Sequence, residues 1–246
     1  MVLTIDIGNT YIGIGLFDRG GIKERTSITT PNRMTSYEAR ELILRFRPDA
    51  LGLASVVPSL INPFVAGAKE LDLETVLVSY ESRTGLKYRY HDPSSIGSDR
   101  IANAVGGLKL YKENLIIIDF GTATTFDVVL KDGTYLGGII CPGIESGLES
   151  LSRRAALIPE VELKVPENVI GRNTTECIQS GIIFTTIGQI NEILKRIKKE
   201  SGEEFKVIAT GGWGRKIVEL TSLIDHFDPD LTLRGIYEIY LLNQKS

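Results

Sequence analysis

The chain has 246 residues, 42% apolar and 24% charged, with a formal net charge of −3, a pI of about 5.6 and a mean hydropathy of +0.04. This is the composition of a soluble globular protein, and no apolar run approaches the roughly 20 residues that a membrane-spanning helix needs. The acidic balance removes the broad attraction on which most nucleic-acid binding depends. The length admits one large domain or two similar lobes.

In chain order, strands are expected at about 2–8, 11–17 and 21–30, a helix at 35–46, a buried strand at 50–57, a helix at 59–71 and a strand at 75–79. Thr35 and Glu38 have capping-box spacing ahead of Leu42, Leu44 and Phe46, and Pro48 is expected to end that helix at Arg47. A helical pattern follows Gly97-Ser98-Asp99-Arg100 from Ile101 to Val105. The second half repeats the order of the first: strands at about 114–119, 124–130 and 133–140, helices near 143–155 and 174–200, a strand at 205–210, a helix at 214–221, a short strand at 223–227 and a terminal helix at 231–242. Three antiparallel strands followed by alternating helix and strand, twice over, is the mark of an internal duplication in an α/β protein. The expected lobes are 1–112 and 113–246.

In the long helix, Ile183, Ile187, Ile190, Leu194 and Ile197 recur at steps of three and four, so one stripe is buried while Lys195, Arg196, Lys198 and Lys199 lie on a solvated face. The stretch from 157 to 170, with Pro159 and Pro166, has no helical period and reads as an extended loop. Cys141 and Cys177 lack any metal-ligand spacing and are expected to be reduced, buried thiols. His91 and His226 are too few for a histidine metal centre. The N-terminus lacks the features of a secretory signal, so a cytoplasmic location is expected.

Two loops carry the candidate chemistry. Asp6-Ile7-Gly8-Asn9-Thr10 and Asp119-Phe120-Gly121-Thr122-Ala123-Thr124-Thr125 each lie between two strand-like segments, at the tips of hairpins. Glycine permits close backbone approach, consecutive N–H groups converge on an anion, threonine adds donors, and aspartate holds a cation directly or through water. Either loop alone could be an ordinary turn; two in equivalent settings point to a phosphate clamp. Gly97-Ser98-Asp99-Arg100 opens a helix, where Asp99 either caps it or accepts a proton from a substrate hydroxyl, with Arg100 gripping an anionic group. Thr210-Gly211-Gly212-Trp213-Gly214 ends a strand where a nucleotide base could lie, with Trp213 read as a packing residue. Gly137-Gly138, Pro142-Gly143, Gly171-Arg172-Asn173-Thr174 and Ser180-Gly181 offer further close approaches, Thr174 being both a candidate helix cap and a candidate substrate contact.

Taken together, these segments resemble the actin, sugar kinase and Hsp70-like ATPase superfamily and, within it, the type III pantothenate kinases. The resemblance spans nearly the whole chain. It implies a duplicated ribonuclease H-like fold, two lobes each with a five-stranded mixed sheet flanked by helices, and ATP-dependent phosphorylation of pantothenate on its primary hydroxyl, the first step of coenzyme A synthesis. Asp6, Ile7, Gly8, Asn9, Thr10, Tyr11, Ile12 and Gly13 would then contact ATP, with Asp6 near magnesium, and Thr122 would be a further ATP contact. Asp99 would be the proton acceptor, and Tyr90, Gly97, Ser98, Asp99, Arg100 and Thr174 would bind pantothenate, Thr174 across a homodimer interface. Asp119 matches the ligand of a monovalent cation, potassium or ammonium. Ser98 stands where alanine is common in the family, a change expected to leave the chemistry intact. The competing readings are another phosphotransferase or phosphohydrolase of the superfamily, acting on a sugar, acetate or polyphosphate, a regulator of the Bvg accessory factor type, and an actin-like filament former. No nucleic acid and no membrane is expected as partner, and the resemblance implies no feedback by coenzyme A.

Overall fold

The computed structural model describes residues 1–19, 21–154 and 161–244, with Arg154 described by its backbone only. Its elements are β1 (Val2–Ile7), β2 (Tyr11–Asp18), β3 (Gly21–Thr29), α1 (Ser36–Leu44), β4 (Ala50–Ser55), α2 (Pro58–Glu70), β5 (Glu74–Leu77), β6 (Lys87–Tyr88), α3 (Ser98–Tyr111), β7 (Leu115–Phe120), β8 (Ala123–Val129), β9 (Thr134–Pro142), α4 (Ile144–Arg154), α5 (Thr174–Ser201), β10 (Lys206–Thr210), α6 (Gly214–Val218), β11 (His226–Phe227) and α7 (Leu231–Asn243). Two compact units result. The first comprises 1–112, 129–137 and 230–246, the second 113–128 and 138–229.

The first unit is built on a five-stranded sheet of order β3-β2-β1-β4-β5. β1 runs antiparallel to β2 and parallel to β4. Strand alternation divides the side chains of β1 between two faces. Leu3, Ile5 and Ile7 pack with Ala39, Leu42, Ile43, Leu60 and Phe64 of α1 and α2. On the other side, Ala54 lies in a second cluster with Ile101, Ala102 and Val105 of α3 and Leu233, Ile236 and Ile239 of α7. The α3–α7 approach is close enough that a Cβ on Gly106 would lie 2.7 Å from Leu231 O, and one on Gly235 would overlap Ala102 O.

The second sheet has the order β11-β10-β7-β8-β9-β6, six strands where five are expected from the sequence. The extra strand is β6, only two residues long and therefore without a readable alternation; it joins β9 through Lys87↔Thr134 and Tyr88↔Tyr135. β7 and β10 are parallel, with Thr210 opposite Asp119. Ile116, Ile117, Ile118, Val207, Ile208 and Ala209 are almost wholly buried, which accounts for their continuous apolar runs.

Several expectations shift. The terminal helix α7 clusters with the first unit, because its apolar face packs on α3 and on the sheet of β1 and β4. The Thr35–Glu38 capping box forms as read, but α1 ends at Leu44 and Arg47 adopts φ +47°, so the chain leaves the helix before the turn that Pro48 would have blocked. α5 is capped by Asn173, whose Oδ1 accepts from the Glu176 N–H at 2.9 Å, and not by Thr174. Cys177 is exposed and Cys141 half-buried, because they lie in the first turn of α5 and on an open strand end and not in the core. The helix at 214–221 is shorter, Gly214–Val218, and the strand at 223–227 shrinks to His226–Phe227. Of the extended stretch expected at 157–170, residues 157–160 lie outside the described residues, and the remainder contains no helix or strand. Lys195, Arg196, Lys198 and Lys199 are solvated as expected.

Candidate active site

In the first unit, the turn between β1 and β2 is closed by the Gly8 N–H donating to Tyr11 O at 3.0 Å. Thr30 braces it from outside, its N–H donating to Thr10 O (2.9 Å) and its hydroxyl to Gly8 O (2.7 Å). Asn9, Thr10 and Tyr11 are exposed, Ile7 and Ile12 are buried as register partners, and Asp6 is half-buried opposite Gly13. By strand alternation Asp6 shares a face with Thr4, opposite that of Leu3, Ile5 and Ile7. A Cβ on Gly13 would lie 3.8 Å from Leu233 of α7, which places this face of the hairpin on the α7 side of the sheet.

Gly97 is the N-cap of α3, followed by Ser98, Asp99 and Arg100 in the first turn. Neighbouring β4 and β1 are parallel, with Ala54 opposite Asp6 and Ser55 opposite Ile7. Ser98 bonds to Ser55 through its side chain, so the first turn of α3 is anchored where the Asp6 loop begins, at the carboxyl ends of the two strands. This is the edge of a sheet at which ligands bind in α/β proteins. Asp99 accepts the Arg100 N–H at 2.8 Å. Burial pushes its carboxyl above the ordinary aspartate range, and the Arg100 N–H and guanidinium offset part of that rise. Arg100 itself is buried. Tyr90 is held by a different set of contacts: the Arg89 N–H donates to Tyr135 O at 2.9 Å, and the Tyr90 ring meets that of fully buried Tyr135 edge-on at 6.2 Å. A Cβ on Gly137, which has φ +127°, would lie 3.7 Å from the Tyr90 ring.

In the second unit, Asp119 is the penultimate residue of β7 and the Gly121–Thr122 turn leads into β8, with the Gly121 N–H donating to Ala123 O at 3.1 Å. Gly211, at φ +86°, lies so close that a Cβ there would sit 2.5 Å from Asp119 Oδ1, so only glycine fits beside that carboxylate. On the same hairpin the buried Thr125 Oγ1 has no hydrogen-bond partner. Asp119 itself is half-buried. Among the described residues no three His, Cys, Asp or Glu side chains gather to hold a metal ion.

The Thr122 turn is braced by the Ser146 hydroxyl, which donates to Thr122 O at 2.7 Å, and a Cβ on Gly143 would overlap the same oxygen. Gly143 also lines a groove of about 480 Å³ between α4 and α5, together with Pro142, Thr174, Cys177 and Gly181. Thr174 therefore shares a surface with the segment that supports Thr122. The indole N–H of half-buried Trp213 donates to Glu145 at 3.0 Å while Lys216 covers its ring. His91 and His226 are both exposed. Ser55, Thr30 and Ser146 were not legible as site residues, since each acts through a partner distant in sequence.

A model of the type III pantothenate kinase family matches residues 2–196. Among solved structures, a protein from Campylobacter jejuni described as a Baf family transcriptional activator superposes with a TM-score of 0.61 at 20% identity, covering 98% of each chain. A ROK family glucokinase from Streptomyces griseus, in complex with glucose and AMPPNP, gives 0.50 at 14% identity over 96% of this chain and 98% of that one. The activator of 2-hydroxyisocaproyl-CoA dehydratase from Clostridium difficile, with ADPNP bound, gives 0.50 at 13% identity over 98% and 95%. At these identities the superpositions establish the fold, that of actin-like ATPases and sugar kinases. With the family model extending through both hairpin turns, the Gly97–Arg100 segment and most of α5, the chain belongs to the type III pantothenate kinase family.

Proposed function

We propose that the protein transfers the γ-phosphoryl group of ATP to the primary hydroxyl of pantothenate, with Asp99 as proton acceptor. The observation that carries this reading is the anchoring of Gly97–Arg100 beside the Asp6 loop, at the carboxyl ends of β1 and β4. Phosphoryl transfer passes through a loose transition state, so orientation and charge neutralisation matter more than base strength. An aspartate whose pKa burial raises above the ordinary value can orient the hydroxyl and take its proton late. The exposed turn from Asn9 to Tyr11 presents backbone N–H groups and the Thr10 hydroxyl to phosphate oxygens, with Gly8, Ile12 and Gly13 framing it, Thr122 adds a contact, and Arg100 holds the pantothenate carboxylate. Magnesium entering with ATP near Asp6, and potassium or ammonium at Asp119, would neutralise charge on the phosphates. Tyr90 forms one wall of the acceptor pocket. The active form in this reading is a homodimer, with Thr174 supplied to the pantothenate site of the other copy.

The test is ADP production by purified protein with ATP and magnesium, with and without pantothenate, in potassium and then sodium buffer. Pantothenate-dependent turnover that rises with potassium is expected; turnover indifferent to pantothenate points to another phosphotransferase or hydrolase. The Campylobacter structure supports a second reading, a transcriptional regulator with this fold. Asp6, Asp99 and Asp119 together in one chain favour catalysis over it, and an absence of turnover in both buffers would reverse that order.

A further inference from the structure

Ser55 is the last residue of β4, and its two sides are unequal. Toward β1 the ladder continues, with the Val56 N–H donating to Ile7 O at 3.0 Å. Toward β5 it stops: Leu53 pairs with Leu77, and the Val78 N–H makes the final bond, to Leu53 O at 2.8 Å. Backbone groups alternate in direction along a strand, so the N–H and C=O of Ser55 point past the end of β5. Both are taken up by one hydroxyl. Ser98 Oγ accepts from the Ser55 N–H at 2.8 Å and donates to Ser55 O at 3.0 Å. Ser98 is buried and immediately precedes Asp99. A single side chain thus stands in for a missing strand residue and sets the height of the first turn of α3 against the end of β4.

We propose that Ser98 is a positioning residue for Asp99, acting through this two-point bond to Ser55; the inference rests on the reading of Asp99 as proton acceptor. This corrects the expectation that serine and alanine are interchangeable here: in this chain alanine would leave a buried donor and a buried acceptor unmatched, and the first turn of α3 would move to admit water or another partner. A displacement of that kind reaches the reacting hydroxyl through Asp99, whereas the Asp6 loop, held by Gly8, Tyr11 and Thr30, stays in place. The hydroxyl of Ser98 is committed to Ser55, so any contact of this residue with pantothenate is through its backbone.

Three measurements on S98A, S98T and wild type test the proposal. Amide hydrogen exchange at Ser55 is expected to be at least about tenfold faster in S98A and close to wild type in S98T, which keeps the hydroxyl. In S98A, kcat is expected to fall about 10- to 100-fold with KM for ATP within about twofold, and S98T is expected to recover most of it. The carboxyl of Asp99, followed by carbon NMR against pH, is expected to titrate nearer the ordinary aspartate value in S98A as water enters. Unchanged Ser55 exchange in S98A would overturn the bond itself. Faster exchange with unchanged kcat and unchanged Asp99 titration would overturn the positioning role. If wild type fails to use pantothenate, the proposed function falls, and exchange with Asp99 titration still decides whether Ser98 positions Asp99. Should S98A fail to fold, S98C, similar in size to serine with only a weak donor, is measured in the same way.

Discussion

At the scale of single residues, Asp99 is the position where stability and activity pull apart. Its folded pKa lies above the ordinary value because burial disfavours the charged form. A carboxyl of this kind contributes most stability when protonated, and that contribution is lost as pH rises from the unfolded value through the folded one. Asp99→Asn is therefore expected to melt higher than wild type at neutral pH, with the difference shrinking as pH falls through the folded pKa and nearly gone below about pH 4, while turnover falls by about 10² to 10⁴ and binding of a non-hydrolysable ATP analogue persists. Thermal melts at two pH values and calorimetric titration check the three parts separately, and undiminished turnover would remove Asp99 from the mechanism. Asp119→Asn is expected to flatten the response of activity to potassium, and an unchanged response would contradict the cation assignment. These aspartates stood out as candidates in the sequence because each belongs to a short motif at the end of an element, whose chemistry is local. Ser55 was not, because its partner Ser98 lies 43 residues away and nothing near either serine signals the pairing.

At the scale of elements, the contact of α3 with α7 depends on two glycines. A methyl group on Gly235 would meet Ala102 O, a backbone atom with no flexible side chain to yield, and one on Gly106 would meet Leu231 O. Gly235→Ala is expected to destabilise the protein by about 3 kcal/mol, read from the urea midpoint; a loss below about 1 kcal/mol would mean the helices slide apart freely. The capping box of α1 makes a smaller and separate contribution, and Thr35→Ala is expected to cost about 1 kcal/mol on the same measurement. Capping in α1 was read correctly because the motif is contained in four residues. In α5 the same logic favours Asn173, since Glu176 stands three residues after it and also accepts the Arg172 N–H at 2.7 Å. Thr174 was the less apt choice on that spacing. β6 had no sequence signal at all, being two residues that become a strand only because β9 is there to pair with them.

At the scale of the whole molecule, the chain order of the elements and their membership of units diverge. The last helix completes the first unit: Leu233, Ile236 and Ile239 close a core that also holds Phe17 of β2, Ala54 of β4, Ile101 and Val105 of α3, Val129 of β8 and Tyr135 of β9. Truncation after Pro229 is accordingly expected to unfold the first unit, visible as a large loss of helical circular dichroism and of Asp99-dependent turnover; a truncated chain that stays active would show α7 to be dispensable. The assembly is tested by light scattering on the purified protein, where twice the chain mass is expected, and mixing a Thr174→Ala chain with an Asp99→Asn chain should restore part of the activity if each site borrows Thr174 from the other copy.

What the sequence determined by itself was whatever depends on near neighbours: the alternation of apolar residues that makes the strands, the period of α5, the capping box of α1, and the glycine and aspartate turns that carry the candidate chemistry. Backbone geometry and side-chain period act over a few residues, so the chain spells them out directly. Tertiary structure alone decided that α7 returns to the first unit, that a sixth strand joins the second sheet, that Asp99 is desolvated, and that Ser98 completes the end of β4. Each of these depends on groups brought together from distant parts of the chain, where packing and the satisfaction of buried backbone groups choose the partner, and no local pattern records that choice.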